Sequence, residues 1–357
     1  MSKKDSLLKA FGLQSGWCRE YGSPFTADLI AALAQDLERT GPAAALVGAW
    51  PGEPLADAVA LRLTGALHAA ALSGRDPALA AVFPAADPHW TITKVWPVAQ
   101  ALLERDQDWV RAFIQSAPQT NETRRTIGLL PGFLRTAEQG PLHLLEIGAS
   151  AGLNLHWDRF RFETRTWSFG PKDGPLIDTQ WLGPPPQGLD RTIKVASRAG
   201  CDINPLDVSD PEQRHRLTAY VWADQPERLA RIERAIALSL QSGLRPVKMD
   251  AAAFLTERLG GPLPEGTTVI FHSVVWQYLP EATKQGVRAA IEAAASCATP
   301  THRLAWLRYE PDLWDVNMHP ALSAGGFHVT LTAWPAGDAR ILAETDGHTR
   351  SVTPRRE

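Results

Sequence analysis

The chain changes character at Pro141, and that change limits its possible folds more than any other feature. Upstream, apolar residues recur at helical spacing and no convincing strand pattern occurs. Residues 27–39 place Leu29, Ile30, Leu33 and Leu37 on one helical face. Ser23-Pro24 and Thr26 offer capping chemistry before them, and Gly41-Pro42 a stop after them. Residues 55–72 predict an alanine-rich apolar helix ended by Ser73-Gly74. Residues 96–116 and 122–135 predict two more, with Pro131-Gly132 shortening or bending the last.

Downstream of Pro141, short apolar runs alternate with helical stretches. Strands are predicted at 142–147, 193–199, 246–249, 268–271 and 304–308, and a C-terminal hairpin at 327–334 and 339–344. Helices are predicted at 211–223, 226–242, 252–259 and 281–296. Such alternation predicts an α/β fold with a mainly parallel sheet, preceded by an all-helical N-terminal region. With 357 residues there is room for two domains, placed at 1–140 and 141–357. The stretch 160–190 interrupts the pattern with alternating Phe160, Phe162 and Thr164 and the run Gly183-Pro184-Pro185-Pro186. It reads as an inserted ribbon and loop.

The 36 basic and 39 acidic residues leave a formal net charge of −3. No long-range attraction for a polyanion results, which argues against nucleic acid and anionic membrane as partners. Cys18, Cys201 and Cys297 are too few and too widely spaced for a disulfide framework or a zinc-ligand pattern. No apolar run reaches membrane-spanning length, and no apolar leader follows the N-terminus. A cytoplasmic protein acting on a small molecule is expected. The chain also holds 13 tryptophans. Trp276 is placed just after a predicted strand end, and Trp306 is assigned to the core.

The densest signal runs from Leu144 through Glu146, Ile147, Gly148, Ala149, Ser150 and Ala151 to Gly152. A buried strand leads into a tight turn of small residues and then a predicted helix. Unpaired N–H groups at such a turn meet a ligand, and small residues let the backbone come close. Glu146, at the strand end, is placed to contact a cationic or hydroxyl group. The segment resembles the first motif of S-adenosylmethionine-dependent methyltransferases, an acidic residue followed by alternating glycines. It matches at Glu146, Gly148 and Gly152, and departs at Ser150, where the middle glycine usually stands. The same turn also fits G-x-S-x-G, the nucleophile elbow of α/β-hydrolases. Ser150 would then attack, with Asp250 or Asp315 and His319 or His328 as partners. Against this stand the helical region upstream, the lack of a His-Gly-Gly segment, and an acidic residue beside the developing oxyanion. A turn of small residues needed only for packing is a third reading.

Ligands of open α/β sheets bind beyond the carboxyl ends of the strands, so the later strand ends bear on the resemblance. Gly200-Cys201-Asp202-Ile203-Asn204-Pro205 is similar to the second-strand pattern of methyltransferases, which implies that Asp202 binds the ribose. Asp202 lies well beyond the usual spacing from the glycine turn, which the insertion would explain. Asp207 is the alternative acid, and an Asx turn is the alternative role for Asp202. Met249-Asp250-Ala251 resembles the third-strand motif, implying adenine contacts from Asp250 and the Ala251 N–H; Asp250 also suits a helix N-cap. His272, at the end of the fourth strand, is the candidate general base. No Asn/Asp-Pro-Pro-Tyr motif follows, which argues against nucleobase amino groups as acceptors. Arg308 and Glu310 share one side of the fifth strand, suited to a substrate carboxylate or to each other. Tyr278 and Asn121 are further candidate substrate contacts, the former with a core alternative and the latter with an N-cap alternative.

The layout as a whole resembles a family of uncharacterised bacterial proteins with a helical N-terminal region and a methyltransferase-like core. The resemblance rests on Ser23-Pro24, Asn121-Glu122, Asn154, Trp157-Asp158-Arg159, Arg198-x-Gly200-x-Asp202 and the His272 segment. It implies a Rossmann-like core. S-adenosylmethionine is thus the expected cofactor, held by Glu146, Gly148, Ser150, Gly152, Asp202, Asp250 and Ala251. Methyl transfer to a small molecule is the expected activity. A cofactor-binding protein of the same fold without catalysis, and a serine hydrolase, are the alternatives.

Overall fold

The computed structural model describes residues 2–311 and 326–355. The chain divides into two compact units, one of residues Met1–Thr120 with Ser209–Glu233, the other of Asn121–Val208 with Arg234–Glu357.

The first unit has helices and no strand among its described residues. Its helices include Lys3–Glu20, Pro24–Glu38, Val59–Leu72, Ile92–Arg105, Gln107–Ile114 and Pro211–Ala219. The first of these was not predicted, and the single helix expected over 96–116 is broken in two at Asp106. Ser23 accepts from the Thr26 N–H, the capping role read from its position before Pro24. The apolar faces meet in one core containing Phe11, Phe25, Leu33, Leu67, Leu102 and Phe113. Arg62 is tolerated there because its guanidinium donates to the carbonyls of Asp57, Ile114 and Gln115. Fully buried His68 stacks on Phe83 and bonds through Nδ1 to the Ala219 carbonyl at 3.0 Å.

The second unit is a mixed α/β structure built on a nine-stranded sheet. In chain order its strands are β1 (Leu142–Ile147), β2 (Arg161–Glu163), β3 (Ser168–Phe169), β4 (Leu176–Asp178), β5 (Gln180–Trp181) and β6 (Val195–Asp202). They continue as β7 (Val247–Lys248), β8 (Gly266–Ser273), β9 (His302–Pro311), β10 (Phe327–Trp334), β11 (Asp338–Thr345) and β12 (Ser351–Pro354). The sheet order is β5-β12-β11-β10-β9-β8-β1-β6-β7. β7, β6, β1, β8 and β9 run parallel, while β10, β11 and β12 continue the sheet antiparallel as a meander. The predicted hairpin is β10 and β11; β12 and the edge strand β5 were not predicted. The 160–190 insertion makes a separate sheet, β3-β2-β4, before it supplies β5.

Strand alternation gives each sheet face its own cover. Leu145, Ile147, Ile270, Leu304 and Trp306 share one core with Phe254 and Leu255 of the helix Ala251–Leu259 and Val287 and Ile291 of the helix Glu281–Ala295. The opposite face packs on the helix Arg125–Thr136, where Phe133 meets Phe271 edge-on at 5.2 Å and stacks on Trp157 at 4.2 Å. Close approach requires Gly132 there, since a Cβ would come within 2.4 Å of a Leu307 methyl. This helix therefore belongs with the sheet, so the units part at residue 120 and not at 140. Pro131 is accommodated inside it. No described helix is long and apolar enough to cross a membrane.

Candidate functional site

In chain order the parallel strands lie third, second, first, fourth, fifth, so the connections reverse direction between β1 and β8. Outside the carboxyl ends at such a reversal, diverging connections leave a crevice where α/β proteins bind ligands. The glycine turn leaves β1 at this point. Gly148, Ser150 and Gly152 have φ of 65°, 51° and 73°. Gly148 is required both for its left-handed backbone and for space, because a Cβ would come within 2.3 Å of a Val275 methyl. Ser150 holds a conformation that costs a non-glycine residue free energy.

The turn's amides differ from the sequence reading. Ala149 N–H donates to the Cys201 carbonyl, Ser150 N–H to Asp202 Oδ2 at 2.8 Å, Gly152 N–H to the Ala149 carbonyl, and Leu153 N–H to Asn121 Oδ1 at 3.0 Å. The predicted following helix is a seven-residue 3₁₀ segment, Leu153–Arg159, with non-helical geometry at His156. These four amides, expected to be free for an anion or cofactor at a helix start, make internal hydrogen bonds instead.

Asp202 ties the β1 turn to the β6 turn, since its second oxygen accepts from Asn204 N–H at 2.8 Å. The Asx turn and the tie to Ser150 coexist on one carboxylate. Its removal strands two amides that now meet a charge, so Asp202→Ala is expected to lower stability by about 2 kcal/mol. Urea denaturation measures this, and an unchanged midpoint would show that the tie carries no stability. Asp207, the alternative acid, pairs with Arg245 at 2.5 Å. Asp250 caps the helix Ala251–Leu259 through the N–H groups of Ala252 and Ala253, and its other oxygen accepts from the Thr283 hydroxyl at 2.7 Å. Ala251 is the helix's first residue and is buried.

Three buried polar atoms at the turn have no hydrogen-bond partner: Glu146 Oε2, Asn154 Oδ1 and Ser150 Oγ. Burial holds the Glu146 carboxyl well above its usual range; the Asn154 side-chain hydrogen bond opposes this, and the nearby Asp202 charge adds to it. Nothing among the described residues bonds Ser150 Oγ. Of the hydrolase partners, Asp250 is engaged as a cap, His328 pairs with Glu344 at 3.6 Å, and Asp315 and His319 lie outside the described residues.

Across the switch point, β8 and β9 assemble the second cluster. His272 is fully buried, with Nδ1 2.6 Å from Glu310 Oε1 and Nε2 accepting from the Trp306 indole N–H at 3.1 Å. Because Nε2 accepts, the proton sits on Nδ1 and the ring is neutral, as the bonding network assigns it. Both ring nitrogens are thus engaged within the protein. Glu310 Oε1 also accepts from Val275 N–H at 3.1 Å, while Oε2 is buried without a partner. Val274, just before, has φ 56°, a strained state for a β-branched residue. The guanidinium of Arg308 lies 4.6 Å over the Trp306 ring and its Nε has no partner. Burial lowers the Arg308 pKa, the Glu310 charge opposing and that of Arg288 adding. Trp276 stacks on His272 at 5.5 Å and meets Trp306 edge-on, and the Gln277 amide next to it is buried and unpartnered. Tyr278 is 63% exposed on the turn beyond.

Val275 joins the clusters: its side chain covers Gly148 and its amide holds Glu310. Asn154, Val275, Trp276, Gln277 and Trp306 are site residues that sequence reasoning did not assign. For Trp306 a signal was present, since strand alternation places it on the side of Arg308 and Glu310.

A mainly parallel sheet with helices on both faces defines an α/β protein. The chain belongs to the family described as uncharacterized protein conserved in bacteria (DUF2332), whose model matches residues 8–353. No curated protein and no solved structure matches it.

Proposed function

We propose that the protein is an S-adenosylmethionine-dependent methyltransferase with a Rossmann-like core, acting on a small molecule. The observation that carries this reading is the trio of unpartnered buried atoms on Glu146, Asn154 and Ser150, at the switch point of the sheet. Asn154 Oδ1 is an acceptor without a donor, and Glu146 Oε2 becomes one when the carboxyl ionises, which suits an ammonium group such as the one on the cofactor's amino-acid end. Asp202 and Asp250 keep lone pairs beyond those their present donors use, so each can also accept a ribose hydroxyl or an adenine N–H. When bound, the cofactor supplies an electrophilic methyl group on a sulfonium. The protein's own work is then to align acceptor and methyl and to keep water out.

A thermal-shift titration tests the reading. S-adenosylhomocysteine at a hundred times its Kd should stabilise the fold by about 2.7 kcal/mol. Absence of any shift, together with labelling of Ser150 by a fluorophosphonate, would instead establish the hydrolase, which the left-handed Ser150 of the G-x-S-x-G turn favours. Binding without methyl transfer to any acceptor would point to the non-catalytic alternative.

A further inference from the structure

We infer that Glu310 and Arg308 form the acceptor subsite, for a small carboxylic acid that also carries an O–H or N–H, and that Glu310, positioned by His272, takes that proton. The inference rests on the methyltransferase reading for its reaction, and on the β8–β9 cluster for its chemistry.

Glu310 has one oxygen bound and one free. Oε1 is fixed by His272 Nδ1–H and Val275 N–H, which leaves Oε2 as a buried acceptor with nothing to accept. His272 cannot itself receive a proton without losing the Trp306 indole, whose N–H occupies its only lone pair. The base expected at His272 therefore moves one step outward, to the carboxylate it orients. His272 and Trp306 are positioning residues.

Arg308 is the complementary end. Its guanidinium stacks on Trp306 and leaves Nε unpartnered in a half-buried setting. An arginine fork matches a carboxylate in shape as well as charge. Residues two apart on a strand are separated by roughly 7 Å, with side chains on the same side. A ligand that satisfies both thus has an anionic end and a protic end several ångströms apart. Trp306 lies under Arg308, and Trp276 meets Trp306 edge-on and stacks on the His272 that holds Glu310, so a body with an apolar face suits the span between the two ends. The Gln277 amide supplies one further donor and acceptor on the adjoining turn.

In the reaction, the acceptor's O–H or N–H bond breaks and its proton passes to Glu310 Oε2, which becomes the neutral acid. The electron pair left on oxygen or nitrogen forms the bond to the methyl carbon. The bound cofactor would supply that methyl, its sulfonium sulfur taking the electron pair of the broken carbon–sulfur bond.

The experiment uses the full chain with 4-hydroxybenzoate and 4-aminobenzoate as two-ended probes, and benzoate and phenol as their halves. Binding is read by quenching of tryptophan fluorescence and by thermal shift. The two-ended acids should bind more tightly than either half. Glu310→Gln should weaken them to the level of benzoate, and Arg308→Met to the level of phenol, each by at least about thirtyfold. His272→Asn keeps an amide donor for Glu310 and should retain binding, whereas His272→Phe should lose it. A downfield proton resonance from His272 Nδ1–H should shift on binding, which a merely structural histidine would not show. No response to either two-ended acid in the unaltered protein, or unchanged affinity for them in Glu310→Gln or Arg308→Met, overturns the assignment. S-adenosylhomocysteine separates the two failures. If it binds and the acids do not, the subsite falls and the methyltransferase reading stands. If the acids bind and it does not, the reverse holds.

Discussion

Glu146→Gln is expected to make the protein more stable at pH 8 and, at the same time, to weaken S-adenosylhomocysteine binding about a hundredfold. Both effects follow from one buried carboxyl. Glu146 is 2% exposed, keeps only the Asn154 hydrogen bond, and has Oε2 facing no donor. Burial raises its pKa well above 4.5, so the folded protein retains a proton that the unfolded chain releases. Stability is therefore present in full below pH 4.5 and is lost as pH rises through the raised value. Glutamine has the same shape and no charge to desolvate, so its advantage should grow with pH. An ammonium group reverses the balance, because it lets the carboxylate ionise against a partner. The sites that cost stability in the free protein are those a ligand completes. Urea titrations between pH 5 and 9, with calorimetric Kd values, measure both halves. A less stable Glu146→Gln protein at pH 8, or an unchanged Kd, would refute this account of the site.

The second large effect is acid lability. Burial pushes His68 down to about 4 from 6.5, its backbone hydrogen bonds opposing, and pushes His156 down to about 4 as well, with Arg198 next in effect. Between pH 6.5 and 4 the unfolded chain binds protons that the folded protein refuses. Stability is thus retained above the unfolded value and lost as pH falls through this window. For His68 the loss is about 3 kcal/mol. The two histidines lie in different units, so both units should weaken together. His68→Gln keeps a donor for the Ala219 carbonyl without titrating, and should flatten the pH dependence of the helical unit. If denaturation midpoints are the same at pH 7 and pH 4.5, these histidines are not held neutral in the folded protein.

Much of the fold was legible because its signals are local. The alternation after Pro141 predicted the five consecutive parallel strands β7, β6, β1, β8 and β9, of which β1 and β8 are the most buried. The shorter misses have physical causes. β5 and β12 have two and four residues, too short for a local pattern; β12 is held between β11 and β5, and β5 meets only β12 at the sheet edge. The helix expected after Gly152 is a 3₁₀ segment interrupted at His156, and Asn121, from a distant stretch of sequence, takes the Leu153 amide at its start. Propensity does not register such a distant partner.

For the site, residue type and strand position already singled out Glu146, Asp202, His272, Arg308 and Glu310. Periodicity carries that information, since it fixes which side chains leave a strand end on one face. It does not carry protonation or availability. Whether His272 is a base or a prop depends on the Trp306 indole, 34 residues away in sequence, reaching Nε2. Whether Glu310 has a free oxygen depends on where Val275 N–H comes to rest. The sequence by itself determined a helical region, a parallel sheet and the charged residues at its strand ends, because each follows from near-neighbour spacing. Only the tertiary structure decided which of those charges are spent on other parts of the chain, because a hydrogen bond between distant strands consumes a lone pair that no local pattern records.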